Sequence, residues 1–210
     1  MVRKKKGAAV KEGPMKLFYI FYNQERWDNW INTLNESDFQ IDPESEEMPE
    51  GFRTLYNFSM DITLAVLKVI KLFQNERFTK EETMDKLNDV EAIVMSDIPY
   101  PEIEEYVESL QLSMLVLFKS CRKYLEGEYS SDIKTLVKEG KKIIDDDMEK
   151  ALEIGADIGA SVINGASCCG KYVKDNIESP TLFDEWLIEI ESMKEAMASL
   201  KNFDEVAGES

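Results

Sequence analysis

The chain has 210 residues and a formal net charge of −17, with 42 acidic residues against 25 basic ones. It contains no histidine, which excludes Ser-His-Asp and Cys-His catalysis and removes imidazole as a metal ligand. Hydrophobic residues make up 43% of the chain and charged residues 32%, which is typical of a globular protein, and the excess of acid disfavours a nucleic-acid-binding surface over the whole molecule.

The beginning of the chain differs in charge from the rest. Residues 1–16 hold six basic residues and one acid, a formal charge of +5, which leaves −22 for the remainder. We expect residues 1–14 to form a disordered basic arm. A solvated tail is the leading interpretation of this arm, and weak binding of an anionic partner is the alternative. An aromatic run follows, and residues 16–22 predict a short extended segment that is either buried or presented to a protein partner. The candidate partner-contact residues are Lys4, Lys5, Lys6, Phe18, Tyr19, Phe21 and Tyr22.

The next part of the chain has the apolar periodicity of helices. Asn23 is a candidate N-cap of a first helix. Residues 40–51 hold two prolines and a glycine and predict the longest loop. A long helix is expected over residues 55–73, and Thr79 with Glu82 forms the capping box of a third helix.

Proline and glycine mark the helix in the middle of the chain. Pro101 suits the first turn of a fourth helix, and Gly127 is its predicted end. Ser131 is expected to begin a fifth helix.

Capping residues also mark the helices of the C-terminal part. Asp146 with Glu149 predicts the capping box of a sixth helix that ends at residues 164–165, and the dipeptide at 179–180 predicts the start of the last helix. The pattern as a whole predicts an all-α fold, a compact bundle of six to seven helices. We expect one domain over residues 15–202 and a frayed acidic tail over residues 203–210.

Small residues recur at a spacing of four on the predicted sixth helix. They are Ala151, Gly155 and Gly159. A glycine costs about 1 kcal/mol in a helix interior relative to alanine, so two at this spacing indicate that another backbone comes close. The row predicts close packing inside the molecule, and a homodimer seam is the alternative use of the same face.

The segment after this helix resembles two kinds of chemical site without completing either. Residues 165–171 match the beginning of a phosphate-binding loop, but Tyr172 stands where a Ser or Thr should contact magnesium, and helices surround the segment. Cys168 and Cys169 are adjacent, and with Cys121 they give no disulfide framework. We therefore expect reduced thiols, a cytoplasmic location and no cofactor. No apolar run approaches the length of a membrane span, so no membrane partner is expected.

One acidic cluster suggests an enzyme. Glu104, Glu105 and Glu108 resemble the first half of the magnesium-binding motif of the all-helical nucleotide pyrophosphohydrolases. The second half, Glu-x-x-Asp, is missing, because Tyr129 and Ser131 stand where its aspartate would be. These three glutamates remain candidate metal ligands.

Three stretches resemble a known family. Residues 21–39, 64–71 and 151–156 are similar to an uncharacterised archaeal family of small acidic proteins, and the likeness covers roughly residues 15–200. The resemblance implies an archaeal cytoplasm and assigns no activity, cofactor or site residue.

Two functions from different classes follow from these patterns. The leading hypothesis is a non-enzymatic cytosolic interaction or adaptor protein, because the aromatic segment, the basic arm and the small-residue row are all contact surfaces, while each catalytic pattern is incomplete. The alternative is a metal-dependent hydrolase of phosphate esters or nucleotides with a carboxylate-lined site.

Overall fold

The structure is a computed structural model that describes residues 21–44, 47–167 and 180–200. Within these residues the chain forms seven α-helices and no strand, which confirms the predicted all-α fold. The predicted basic arm and acidic tail, most of the extended segment, and the pair Cys168 and Cys169 lie outside the described residues. The helices are α1 (Gln24–Glu36), α2 (Glu50–Gln74), α3 (Lys80–Val94), α4 (Glu104–Glu126), α5 (Ile133–Ile143), α6 (Met148–Ile163) and α7 (Leu182–Ser199).

Several helix ends lie where the sequence places them. The Asn23 side chain accepts a hydrogen bond from the backbone N–H of Arg26 at 2.9 Å, which caps α1. Thr79 and Glu82 form the expected reciprocal capping box of α3. Gly127 ends α4 with a φ of 82°, a left-handed conformation that glycine adopts without steric cost.

Two predicted helix starts were wrong by a few residues. Pro101 lies in a turn before α4, where its carbonyl accepts from the N–H of Glu104 at 3.4 Å. The backbone N–H of Asp146 still donates to Ile143 at the end of α5. Asp147 therefore caps α6 instead, and it accepts from the N–H of Lys150 at 2.9 Å.

The predicted start of α2 was wrong as well, because this helix begins at Glu50, within the predicted loop of residues 40–51. The predicted starts of α5 and α7 were also shifted, each to a neighbouring capping residue. Asp132, one residue after the predicted start, caps α5. The last helix begins with a capping box between Thr181 and Asp184, immediately after Pro180. In α5 and α7 a side chain with a hydrogen-bonding oxygen next to the predicted start makes the cap.

Helix α4 is the centre of the bundle, because it packs against α2, α3, α6 and α7. Large side chains from α1, α2, α4 and α7 fill the core of the bundle. The indole N–H of Trp186 donates to the Leu112 carbonyl of α4 at 3.0 Å. Burial of such side chains stabilises the fold by about 1.5–3 kcal/mol each. The largest fully buried ones are Trp27, Phe58, Phe118, Phe183 and Trp186.

The small-residue row of α6 faces α4 inside the single chain. A Cβ added at Gly155 would lie 3.2 Å from Val116, and one added at Gly159 would lie 2.0 Å from the Ser120 hydroxyl. Ala151 is fully buried as well. The row thus lets α6 approach α4 closely, and in this arrangement α4 covers the face that a dimer seam through the row would need.

A second close approach, which was not predicted from the sequence, joins α5 to α7. A Cβ added at Gly140 would lie 1.9 Å from the Phe183 ring, so only glycine fits beneath that ring. Beside it, the Lys141 ammonium donates to Asp184 at 2.6 Å.

None of the described helices is long and apolar enough to cross a membrane.

Candidate functional site

A groove with a volume of about 290 Å³ opens between α2, α4 and α7. We call it the α2–α4–α7 groove. Its apolar walls come from Phe52, Leu55, Tyr56, Leu110, Met114 and Ile188. Its polar groups are two glutamates and four serines, namely Glu185, Glu189, Ser59, Ser109, Ser113 and Ser192.

Helical spacing explains why these side chains meet. The lining residues of α7 stand at positions 185, 188, 189 and 192, and those of α2 at 52, 55, 56 and 59. Residues three, four and seven apart lie on one face of a helix. Each helix therefore presents one stripe to the groove, with α4 contributing positions 109, 110, 113 and 114 between them.

Glu189 is the buried acid of the groove, with 5% of its surface exposed. The hydroxyl of Thr63 donates to its Oε1 at 2.7 Å, and the hydroxyl of Ser59 donates to its Oε2 at 3.4 Å. Across the described part of the chain, none of the ion pairs includes Glu189. Burial raises the pKa of this carboxyl to about 7, against hydrogen bonds from Thr63 and Ser59 that lower it.

The other residues of the groove add a second acid inside it and apolar side chains at its opening to solvent, which we call its mouth. Burial also raises the pKa of Glu185, which lies one helical turn before Glu189. The groove lining includes no Lys or Arg. At the surface, Tyr56 and Ile188 are 59% and 51% exposed. The site is therefore an open apolar groove that holds carboxyl groups without a basic partner.

Glu189 was not predicted from the sequence, although its position carries a signal. The apolar face of α7 includes Trp186, Ile190 and Met193, all of them buried. Glu189 falls within the same face, three residues after the first of these and four before the last. An acid on an otherwise apolar helical face indicates a buried charge site.

The three candidate metal ligands lie elsewhere on the molecule. Glu104, Glu105 and Glu108 are exposed on the first two turns of α4. Within the described ranges, no group of three or more Cys, Asp or Glu side chains is arranged to hold a metal ion. The metal-dependent hydrolase stays a prediction from the sequence, without convergent acids in the described residues.

Two of the candidate partner-contact residues are described, and both take part in packing. Phe21 is half-buried against Phe78, with ring centroids 5.7 Å apart. Tyr22 is 5% exposed, and the Arg26 guanidinium lies 5.5 Å from its ring centroid. The other five, Lys4, Lys5, Lys6, Phe18 and Tyr19, lie outside the described residues.

The tie between α1 and α2 continues from this contact. Arg26 Nε donates to Asp61 Oδ2 at 2.7 Å, and the indole N–H of Trp30 donates to the same oxygen at 2.8 Å. The hydrogen bond with Asp61 raises the pKa of Arg26. The cluster holds α1 against α2 and does not lead into the α2–α4–α7 groove.

The described cysteine is not a reactive thiol. Cys121 is fully buried in α4, and burial raises its pKa. A buried, protonated thiol is a poor nucleophile and a poor metal ligand. It therefore contributes to the core rather than to a site.

Comparison with known proteins identifies a family. No curated protein and no solved structure matches the chain. A family described as an uncharacterised protein conserved in archaea (DUF2150) matches residues 20–206. The match covers nearly all of the span over which the sequence resembles an archaeal family, and all of the described helices. The chain belongs to the DUF2150 family of archaeal proteins.

Proposed function

We propose that the protein is a non-enzymatic, cytosolic interaction protein that binds a protein partner through the α2–α4–α7 groove. The observation that carries the proposal is the apolar mouth of this groove. Tyr56 and Ile188 are two of the most exposed large hydrophobic residues of the described chain, and both lie beside an open groove. Apolar side chains that flank a groove are typical of surfaces that bind another protein.

The groove also has the mixture of groups that a specific protein contact uses. Its apolar walls supply area that a partner side chain can bury. The hydroxyls of Ser59, Ser109 and Ser113 can donate or accept hydrogen bonds as the partner requires. The hydrolase alternative has no comparable support, because Glu104, Glu105 and Glu108 point to no shared pocket among the described residues.

Site-specific photo-crosslinking tests this proposal. A photoreactive phenylalanine analogue replaces Tyr56 at the groove mouth, and in a matched control it replaces Met148, which is 50% exposed on α6 away from the groove. After irradiation in native archaeal extract, we expect a discrete adduct from position 56 and none from position 148. Equal adduct patterns at the two positions, or no adduct at either, would contradict the proposal.

A second measurement separates specific binding from nonspecific capture. The protein found in the adduct is purified and titrated against the wild-type chain and against Ile188→Asp. Since Ile188 is a wall of the groove and half of its surface is exposed, the substitution should not disturb the core. We expect at least tenfold weaker binding by Ile188→Asp, and equal affinity would contradict the proposed site.

A further inference from the structure

We propose that the α2–α4–α7 groove receives an alkylammonium group, as carried by a lysine of the partner protein, which pairs with Glu189 while its methylene chain packs along Tyr56 and Ile188. The inference rests on the proposed function and names the chemistry of the partner. It concerns a side chain that enters the groove, with the rest of the partner segment lying across the exposed mouth.

The first step is the missing counter-charge of Glu189. A buried carboxylate is costly unless a cation or several hydrogen bonds compensate it. Glu189 accepts one short hydrogen bond, from Thr63 to Oε1 at 2.7 Å, whereas the contact of Ser59 with Oε2 is long at 3.4 Å. Oε2 thus has capacity for a stronger donor. Glu189 and Ser59 both line the groove, so a donor that enters the groove can reach them.

The second step is the shape and polarity of the walls. The groove that Glu189 lines is also lined by the apolar residues Phe52, Leu55 and Ile188. A lysine side chain has an apolar stem and a charged end, and such side chains bury the stem along apolar surface. Its ammonium has three N–H donors. Glu189 Oε2 and Ser59 Oγ offer two acceptors for them.

The third step distinguishes lysine from arginine. A guanidinium pairs best with a carboxylate through two parallel hydrogen bonds to both oxygens. In Glu189, Oε1 already accepts the short hydrogen bond from Thr63, whereas Oε2 has only the long contact with Ser59, so Oε2 is the oxygen with more capacity for a new donor. The compact ammonium of lysine, which needs only one carboxylate oxygen, fits this arrangement better than the planar guanidinium of arginine.

The fourth step is the charge of the surroundings. Glu185 lines the same groove one turn away, and the chain outside residues 1–16 carries a formal charge of −22. A negative potential accelerates the association of a basic partner and disfavours an anionic one. The groove chemistry and the long-range field therefore favour the same class of partner.

A pair of small probes tests the inference on the full chain. 1-Aminohexane and 1-hexanol share the same alkyl chain and differ in the ammonium group. Binding is followed at pH 8 by NMR of the methionine methyl groups, with Met114 in the groove wall and Met148 as a remote reference. We expect saturable shifts at Met114 only, and at least a tenfold lower Kd for the amine than for the alcohol.

Two matched variants identify the group that recognises the ammonium. In Glu189→Gln the preference for the amine should disappear while 1-hexanol still binds, which also shows that the groove is intact. In Glu185→Gln a preference of several-fold should remain. Equal binding of the two probes by the wild-type chain would overturn the inference, and so would a full amine preference in Glu189→Gln.

One more variant distinguishes a partner lysine from the chain's own lysines. If the wild-type chain does not bind 1-aminohexane but a full-length variant with Lys4, Lys5 and Lys6 changed to Ala does, the chain's own basic residues occupy the groove and the partner assignment is wrong. The two proposals also fail separately. If position 56 gives no adduct but the chain still prefers the amine, the proposal of a protein partner is refuted. If position 56 gives an adduct but the chain shows no preference for the amine, the proposal of an ammonium ligand is refuted.

Discussion

The buried carboxyl of Glu189 makes the stability of the protein depend on pH in an unusual direction. Its pKa is raised from 4.5 to about 7 in the folded protein, chiefly by burial. The folded state therefore binds a proton more tightly than the unfolded state between these two values. The free energy of unfolding must fall as pH rises through this window, because the unfolded chain releases the proton first. Below pH 4.5 the carboxyl is mostly neutral in both the folded and the unfolded state, so it does not lower the free energy of unfolding.

The size of the effect follows from the shift. Each unit of pKa difference corresponds to about 1.36 kcal/mol, so a rise from 4.5 to about 7 corresponds to roughly 3 kcal/mol of stability lost by pH 8. Glu189→Gln removes this loss. The amide keeps an oxygen that accepts from Thr63 and gains an N–H that can donate to Ser59. We therefore expect the variant to be close to the wild-type stability at pH 4.5 and roughly 3 kcal/mol more stable at pH 8.

Urea denaturation of both proteins at several pH values measures this difference directly. Glu189 accepts hydrogen bonds from the α2 hydroxyls of Ser59 and Thr63. The other titratable groups that line the same groove are the Tyr56 phenol and the Glu185 carboxyl, and the remaining polar lining consists of serine hydroxyls from α4 and α7. The many surface acids affect both proteins equally and cancel in the comparison. The control Glu185→Gln should give a smaller and separate pH dependence. A difference between Glu189→Gln and the wild type that stays constant from pH 4.5 to 8 would refute the reasoning.

Two further predictions concern the packing that holds the groove in place. Gly159→Ala should destabilise the protein by about 1–3 kcal/mol, because its Cβ would overlap Ser120, whereas Gly155→Ala should change stability by less than about 1 kcal/mol. Thermal unfolding checks both, and similar Tm shifts would contradict the stated packing of α6 on α4. Asp61→Ala should cost about 1 kcal/mol, since it removes the partner of the partly exposed Arg26. An unchanged urea midpoint in that variant would show that this ion pair does not stabilise the contact between α1 and α2.

The helices were predictable because their signals are local. Asn23, Thr79 and Gly127 act through hydrogen bonds or dihedral angles within a few residues, and each lies where the sequence indicates. The misplaced start near Asp146 has the same origin. Asp146 and Asp147 are adjacent, and the side chain of either could cap a helix. Which of them does so depends on where the preceding helix ends.

The groove was not predictable in the same way, because it depends on which helices become neighbours. Ser59 and Glu189 are 130 residues apart in the chain, and their spacing within their own helices contains no information about the other. The close fit of Gly140 under Phe183 is also set by packing. The apolar face of α7 did contain a local signal in Glu189, but the high content of acid, 42 residues in all, makes one more carboxylate inconspicuous.

The position of Glu189 connects stability with function. A glutamine or an aliphatic residue at this place would avoid the loss of roughly 3 kcal/mol above neutral pH, which is a large part of the 5–15 kcal/mol that typically separates folded from unfolded protein. Groups that reduce stability in this way concentrate at functional sites, where a bound ligand can supply the compensating charge. A bound cation would do so here, because it favours the carboxylate and returns its pKa toward the usual range. Binding of a partner through an ammonium near pH 7 should therefore release the proton of the Glu189 carboxyl. Calorimetry in buffers of different ionisation enthalpy would detect this release. A captured partner that bound without proton release would be held by the apolar walls alone.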